Sequence, residues 1–202
     1  IGKVAAATTA TVLLERFGVS ALVFTGVAGG LGSGVQVGDV VVADSFVQHD
    51  MDASPLFPRY EVPLYGRARF AADGVLSAQL IVATQQVLRD AERHLGGDTL
   101  AQFRLVSPRV HHGLVISGDR FVATSAESQC LRVVLPDALA VEMEGAAVAQ
   151  VCHDYAVPFA AVRTISDRAD DAAQTDFQRF IREVASRYSL AILSQWLNNR
   201  QA

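Results

Sequence analysis

The sequence predicts a three-layer αβα domain around a central mixed, mainly parallel twisted sheet. Stretches with helical apolar spacing alternate with short continuous apolar runs, the signature of strands buried on both faces. Helical segments, not tight hairpins, separate most of these runs, as parallel crossover units require. No repeat, low-complexity tract or linker interrupts the 202 residues, so a single domain over 1–202 is expected.

In chain order, Lys3 to Phe17 is rich in Ala and Leu and is broken by Gly18, which reads as a helix. Ala21 to Thr25 (ALVFT) is a buried strand, followed by the glycine cluster GVAGGLGSG from Gly26 to Gly34. Asp39 to Phe46 is a second strand. Residues 50–70 hold three prolines and no clear period, so they read as a long loop, a feature that is often functional in compact domains. Leu80, Thr84, Val87, Ala91 and Leu95 mark one helical face, with Gly96 as its cap. Val110 to Ser117 is a strand, 126–135 a helix, and Ala138 to Val141 a buried strand. Glu144 to Tyr155 is helical and Phe159 to Ile165 is a further strand. The last helix opens with a capping-box pair, Thr175 and Gln178, and runs to about Asn198.

Half of the residues are hydrophobic and 19% are charged, while the mean hydropathy is +0.26. The apolar residues are scattered, and no run approaches the roughly eighteen needed to cross a bilayer. Such a composition suits a globular domain that also buries a subunit interface. A net charge of -4 excludes a nucleic-acid backbone or an anionic membrane as the expected partner. Cys130 and Cys152 form no metal-binding spacing and read as free thiols of a reducing compartment, the cytoplasm. Neither His49 with Asp50 and Asp52 nor His111 with His112 has matching ligands elsewhere, so no metal is expected.

In parallel α/β sheets, ligands bind beyond the carboxyl ends of the strands, and four such ends carry unusual residues. The glycine cluster after Thr25 contains neither G-x-G-x-x-G nor G-K-[ST], which excludes the dinucleotide and Walker loops. It is either a structural turn or backbone that approaches a ligand closely. In SGDRFV (117–122), Phe121 could stack on a planar base whose edge the Val122 backbone reads, or it could be a core residue beyond a turn capped by Asp119. In VEMEG (141–145), Glu142 and Glu144 cannot both be buried without partners. One of them can bind adjacent ribose hydroxyls near a helix N-terminus, and ion pairing with Arg163 is the alternative. In VRTISDRAD (162–170), Asp167 lies just past an apolar strand, with Ser166 beside it. A carboxyl group in a partly dry site holds a proton near neutral pH, and N-glycosidic cleavage needs such an acid because protonated adenine departs more readily. A simple turn cap is the alternative for Asp167.

The segments FTGVAGGL, VGDVVVADSFVQHDMD, GLVISGDRFV, AVEMEGAAVAQVC and VRTISDRAD, in this order and spacing, closely resemble the 5′-methylthioadenosine/S-adenosylhomocysteine nucleosidases. These belong to the purine nucleoside phosphorylase and hydrolase superfamily. The resemblance runs from Ile1 to the final helix and implies a nucleoside phosphorylase-like fold, hydrolysis of 5′-substituted adenosines by water, a homodimer and no cofactor. It implies that Asp167 is the general acid at purine nitrogen 7, oriented by Ser166, and that Arg163 helps to place the water. It further implies that Phe121 stacks on adenine, the Val122 backbone pairs with its edge, Met143 lies against the ribose and Glu144 binds the ribose hydroxyls. Gly29 would line the sugar side, Phe177 would close over the site, and Ile1 would contact the 5′ substituent.

Two departures from the family pattern bear on these expectations. The family's first strands and its water-activating Glu have no counterpart in these residues, so the base is not expected within 1–202, and this stretch alone is expected to show little catalysis. Val27 stands where many members have Ser. A purine nucleoside phosphorylase is the nearest alternative, but the hexameric bacterial form places Arg and Ser for phosphate where this chain has Phe24 and Val27. An aminodeoxyfutalosine nucleosidase is a further alternative, and a non-catalytic nucleoside-binding protein would have no need for Asp167.

Overall fold

A computed structural model describes residues 1–169 and 177–200. In chain order it contains α1 (Lys3–Phe17), β1 (Leu22–Gly30), β2 (Val40–Gln48), β3 (Arg69–Ala71), α2 (Gly74–Arg89), α3 (Ala91–Leu95) and α4 (Gly97–Gln102). Then follow β4 (Val110–Ser117), α5 (Ser125–Val134), β5 (Ala138–Glu142), α6 (Gly145–Asp154) and β6 (Phe159–Asp167). A π-helical turn over Ile181–Ala185 joins α7 (Phe177–Phe180) to α8 (Ser186–Asn199). No described helix is long and apolar enough to cross a membrane.

The strands form one sheet in the order β3-β2-β4-β5-β1-β6. The long pairings β1–β6, β2–β4 and β4–β5 are parallel, whereas β1–β5, β2–β3 and β2–β6 are short and antiparallel. The β2–β6 pairing, Val40–Val42 against Val162–Thr164, curls the sheet back onto itself. A sheet closed this way gathers several strand ends around one mouth.

Alternation along the strands sorts side chains into two layers. Val40, Val42, Ala160 and Val162 face a core shared with Leu80, Val87, Tyr188, Ile192 and Trp196 on α2 and α8. Val41, Ala43, Phe159, Ala161 and Ile165 face the opposite core, with Ala10 of α1 and Val148, Ala149 and Cys152 of α6. This two-sided burial is why the strands read as continuous apolar runs.

Local chemistry sets most element ends. Gly18 takes the left-handed conformation at φ 58° that closes α1. The Asp73 side chain accepts from Leu76 N to open α2, and Thr124 caps α5 by accepting from Glu127 N while its hydroxyl donates to the Glu127 carboxylate. Several boundaries differ from the sequence expectation. β1 runs through Gly26–Gly30, because those glycines pair with β6 and β5 instead of turning. The helix expected to continue to Leu95 breaks at Asp90, whose non-helical backbone (φ -119°, ψ 39°) separates α2 from α3. Gly96 then ends α3, and a further short helix, α4, follows. The 50–70 loop ends in the edge strand β3. Glu144 precedes α6 at the N-cap position without a side-chain cap bond, and Thr175 lies outside the described residues.

Cys130 is exposed and Cys152 buried, both as free thiols. Burial pushes the Cys152 thiol up to about 11, so at pH 8 it stays protonated and unreactive. Alkylation of the native protein at that pH is expected to label Cys130 alone, and both cysteines once the fold is opened by denaturant. Rapid native labelling of Cys152, read by mass spectrometry, would contradict this packing.

Candidate active site

All ten residues singled out from the sequence line one cavity of about 600 Å³: Ile1, Gly29, Phe121, Val122, Met143, Glu144, Arg163, Ser166, Asp167 and Phe177. They come from six parts of the chain, which the curled sheet and the start of α1 bring together. The cavity runs along β1 from Leu22 to Gly29 and beneath Ala5, Ala6, Thr9, Ala10 and Leu13 of α1. No described strand pairs with this flank of β1 before Gly29.

Asp167 is buried at the end of β6. Its Oδ1 accepts from Ala169 N at 2.8 Å, and its Oδ2 accepts from Ser166 Oγ at 2.7 Å. The β1–β6 register shifts between Ala28 and Gly29, where Ile165 opposes Ala28 and Asp167 opposes Gly29. Successive residues of a regular strand point to opposite faces, whereas this bulge lets Ser166 and Asp167 both line the cavity. Gly29 is needed beside them, since a Cβ there would sit 3.0 Å from Asp167 Oδ1 and 2.9 Å from the Ala169 Cβ.

The two glutamates of VEMEG separate into different tasks. Glu142 is 6% exposed and pairs with Arg163, itself 2% exposed. Its carboxylate also accepts from Glu144 N at 3.0 Å, Gly145 N at 2.9 Å and the Ser117 hydroxyl. Negative charge at the start of α6 is favoured by the helix dipole. Ser117 Oγ in turn accepts from Ala146 N at 2.7 Å. Arg163 stacks over the Phe24 ring with 4.0 Å to its centroid, and a Cβ on the opposed Gly26 would collide with its Nη1. Glu144 has no role in that ion pair. It is partly buried, lines the cavity, and its Oε1 accepts from Gly2 N at 2.8 Å.

At the mouth, Phe121 is 42% exposed and meets Phe177 edge to face, with ring centroids 5.8 Å apart. Asp119, a turn cap in the alternative reading of SGDRFV, caps the start of α1 by accepting from Lys3 N at 2.8 Å. The Lys3 ammonium extends to Asp50 at 2.6 Å and Gln48 at 3.1 Å, which pins α1 against the end of β2. Sequence reasoning missed Ser117 and Gly26. An isolated Ser or Gly at a strand carries no chemical pattern of its own, and their roles appear only once Glu142 and Arg163 are placed. Among the described residues no group of three or more His, Cys, Asp or Glu is arranged to hold a metal ion. His111 instead pairs with Asp39 at 2.7 Å.

An α/β domain whose curled sheet brings a carboxylic acid, a second carboxylate and paired aromatic rings to one apolar cavity has the architecture of a nucleoside phosphorylase-like enzyme. The profile of the phosphorylase superfamily matches residues 1–196. A 5′-methylthioadenosine/S-adenosylhomocysteine nucleosidase of Anoxybacillus flavithermus is 36% identical over 185 residues, covering 92% of this chain and 72% of the relative. The crystal structure of the same nucleosidase from Neisseria meningitidis, in complex with methylthio-immucillin-A, is 35% identical with a TM-score of 0.81, covering 98% of this chain and 78% of that one. A futalosine hydrolase mutant of Helicobacter pylori is 30% identical with a TM-score of 0.79, covering 98% and 77%. The chain belongs to the phosphorylase superfamily and, within it, to the 5′-methylthioadenosine/S-adenosylhomocysteine nucleosidases, enzymes that hydrolyse N-glycosidic bonds.

Beside the cavity, the His49 ring packs against Gly118, and its buried Nε2 has no hydrogen-bond partner among the described residues. Burial pushes its pKa below the ordinary 6.5 and Lys3 adds to this, while Asp50 and Glu142 pull the other way. The unfolded chain therefore takes up a proton that the folded chain refuses. The His49 contribution to stability is complete above pH 6.5 and is lost progressively as pH falls below that value. Unfolding midpoints between about pH 7 and pH 5 should fall more steeply for the wild type than for His49→Gln. Identical slopes would remove His49 as the cause.

Proposed function

We propose that this cavity hydrolyses the N-glycosidic bond of 5′-thio-substituted adenosines and that Asp167 is the acid that releases adenine. The observation that carries the reading is the buried Asp167 carboxyl at the strand end, held by Ser166 and Ala169 N and facing the same cavity as Glu144. The names of the relatives and the methylthio-immucillin-A held by the Neisseria meningitidis enzyme support the substrate class.

In this reading the base lies at Phe121, with the Val122 backbone along its edge and Phe177 closing over it. Asp167 delivers a proton to purine nitrogen 7, the C1′–N9 bond breaks, and its electron pair passes into the adenine ring. The ribosyl group becomes oxocarbenium-like, and water adds at C1′. Glu144 holds the ribose hydroxyls. Its Oε1 is already occupied by Gly2 N, which leaves Oε2 as the aimed acceptor. Met143 packs on the ribose, Gly29 leaves clearance on the sugar side, and Ile1 meets the 5′ substituent. Arg163 helps to place the water.

Phosphate is disfavoured as the nucleophile. Arg163 is neutralised by Glu142, and Arg120, the other cavity arginine, pairs with Glu127. Glu144 then leaves a field that repels an anion. Of the three cavity carboxylates described, Glu142 is fully engaged, Glu144 binds sugar and Asp167 is the acid. We therefore place the water-activating base outside the described residues.

A second substrate reading rests on the Helicobacter pylori futalosine hydrolase mutant. Aminodeoxyfutalosine also carries adenine with a 5′ extension, which would meet Ile1 on the 5′ side of the cavity. The free thiols of Cys130 and Cys152 fit a cytoplasmic enzyme.

Asp167→Asn keeps the size and removes the transferable proton. It is expected to lower kcat by at least about a hundredfold while adenine binding and the fold survive. Glu144→Gln should instead weaken both ribose binding and turnover, with a smaller loss for 2′-deoxy substrates. Steady-state adenine release, with calorimetric binding of adenine, measures both. A near-normal kcat for Asp167→Asn would assign the acid step elsewhere.

The assembly is proposed to be a homodimer, with the 50–70 loop approaching the neighbouring pocket. Leu56 and Leu64 of that loop are 83% and 92% exposed, apolar area that a subunit contact would cover. Sedimentation at micromolar concentration is expected to give twice the chain mass. A stable monomer would count against the dimer.

A further inference from the structure

We infer that Glu142 is a positioning residue for catalysis, which sets Arg163 and Glu144 against each other across the pocket, beyond its part as a buried counterion. The inference rests on the reaction proposed above and assigns a role to a residue that the proposed chemistry does not touch.

The geometry of the carboxylate carries it. Glu142 receives hydrogen bonds from three separate walls of the site: Ser117 at the end of β4, the Glu144 and Gly145 amides at the start of α6, and Arg163 in β6. Each contact fixes a different part of the cavity. The Glu144 amide bond orients the residue whose own carboxylate faces the ribose position. The bond through Ser117 to Ala146 N holds the first turn of α6 in place behind it. The Arg163 contact anchors one Nη of a guanidinium whose face lies on Phe24 and whose Nη1 fills the space left by Gly26. Among the described residues, Arg163 Nε is buried without a hydrogen-bond partner, so this side chain is held there by one strong anchor and by packing.

Only a carboxylate can satisfy this arrangement. Four groups donate to it, and an ionised carboxylate offers two oxygens with about four lone-pair sites and no proton of its own. An amide in its place offers one oxygen and an NH2 that must face another donor. Either Arg163 or the α6 corner then loses its partner, and the buried guanidinium is left without its counterion. A displacement of that kind moves the groups that hold water and ribose and leaves the adenine subsite at Phe121 and Val122 alone.

The test is a double-mutant cycle on kcat and KM, with adenine affinity measured beside it in the full-length enzyme. Glu142→Gln is expected to lower kcat by about tenfold or more, with adenine affinity changed by less than about threefold. If Glu142 acts through Arg163, the same change in an Arg163→Met background should cost no more than about threefold further. Ser117→Ala keeps the ion pair and removes the hydrogen bonds to Glu142 and from Ala146 N, so its loss of kcat should be smaller than that of Glu142→Gln and should shrink in the Arg163→Met background. This second variant decides the matter if Glu142→Gln does not fold. Losses that multiply independently, or a kcat unmoved by either substitution, would overturn the role. Wild-type adenine release in the same assay reports on the proposed reaction, so a failure of that reading is visible before any variant is compared.

Discussion

Placing Arg163 beside Glu142 removes two full charges from water, at an effective cost of several kcal/mol per ion. Such a pair persists only where the remaining polar atoms find partners, and much of the local structure serves that condition. Gly26 lacks a side chain where the guanidinium lies, Phe24 supplies a π face, and Ser117 and the start of α6 complete the carboxylate. The sheet must also bring β4, β5 and β6 to the same corner, which its closure through β2 and β6 helps to do. A catalytic cavity and a solution to buried charge are thus one construction.

Much of this was legible beforehand because the signals were strong and local. The continuous apolar runs identified β4 to the residue, and the Ala-rich stretch ending at Gly18 gave α1. The candidate site was legible because SGDRFV, VEMEG and VRTISDRAD sit at strand ends, and their residues do line one cavity. Where the reading fell short, tertiary pairing had overridden a local propensity. Gly26–Gly30 looked like a turn, since glycine is a poor strand former, yet β6 and β5 recruit it as strand. The break at Asp90 falls inside an unbroken apolar period and left no sign in it. The separate tasks of Glu142 and Glu144 depend on which carboxylate meets Arg163, and spacing alone left that open.

The bulge between Ala28 and Gly29 shows how a small irregularity can make chemistry possible. A regular pleat would send Ser166 and Asp167 to opposite faces, and the hydroxyl could not steady the carboxyl from within the same cavity. One extra residue on β6 brings both to it. The backbone amide of Ala169 then holds the second oxygen, so the strand end itself helps to orient the carboxyl proposed as the acid.

The edge-to-face contact of Phe121 and Phe177 has a consequence for how a flat ligand enters. With centroids 5.8 Å apart and planes at 70°, neither ring leaves a slot for a third ring between them. A sandwich needs about 7 Å between parallel faces, twice a normal stacking distance. On the reading proposed above, a purine that stacks on one phenyl ring takes the place of the other.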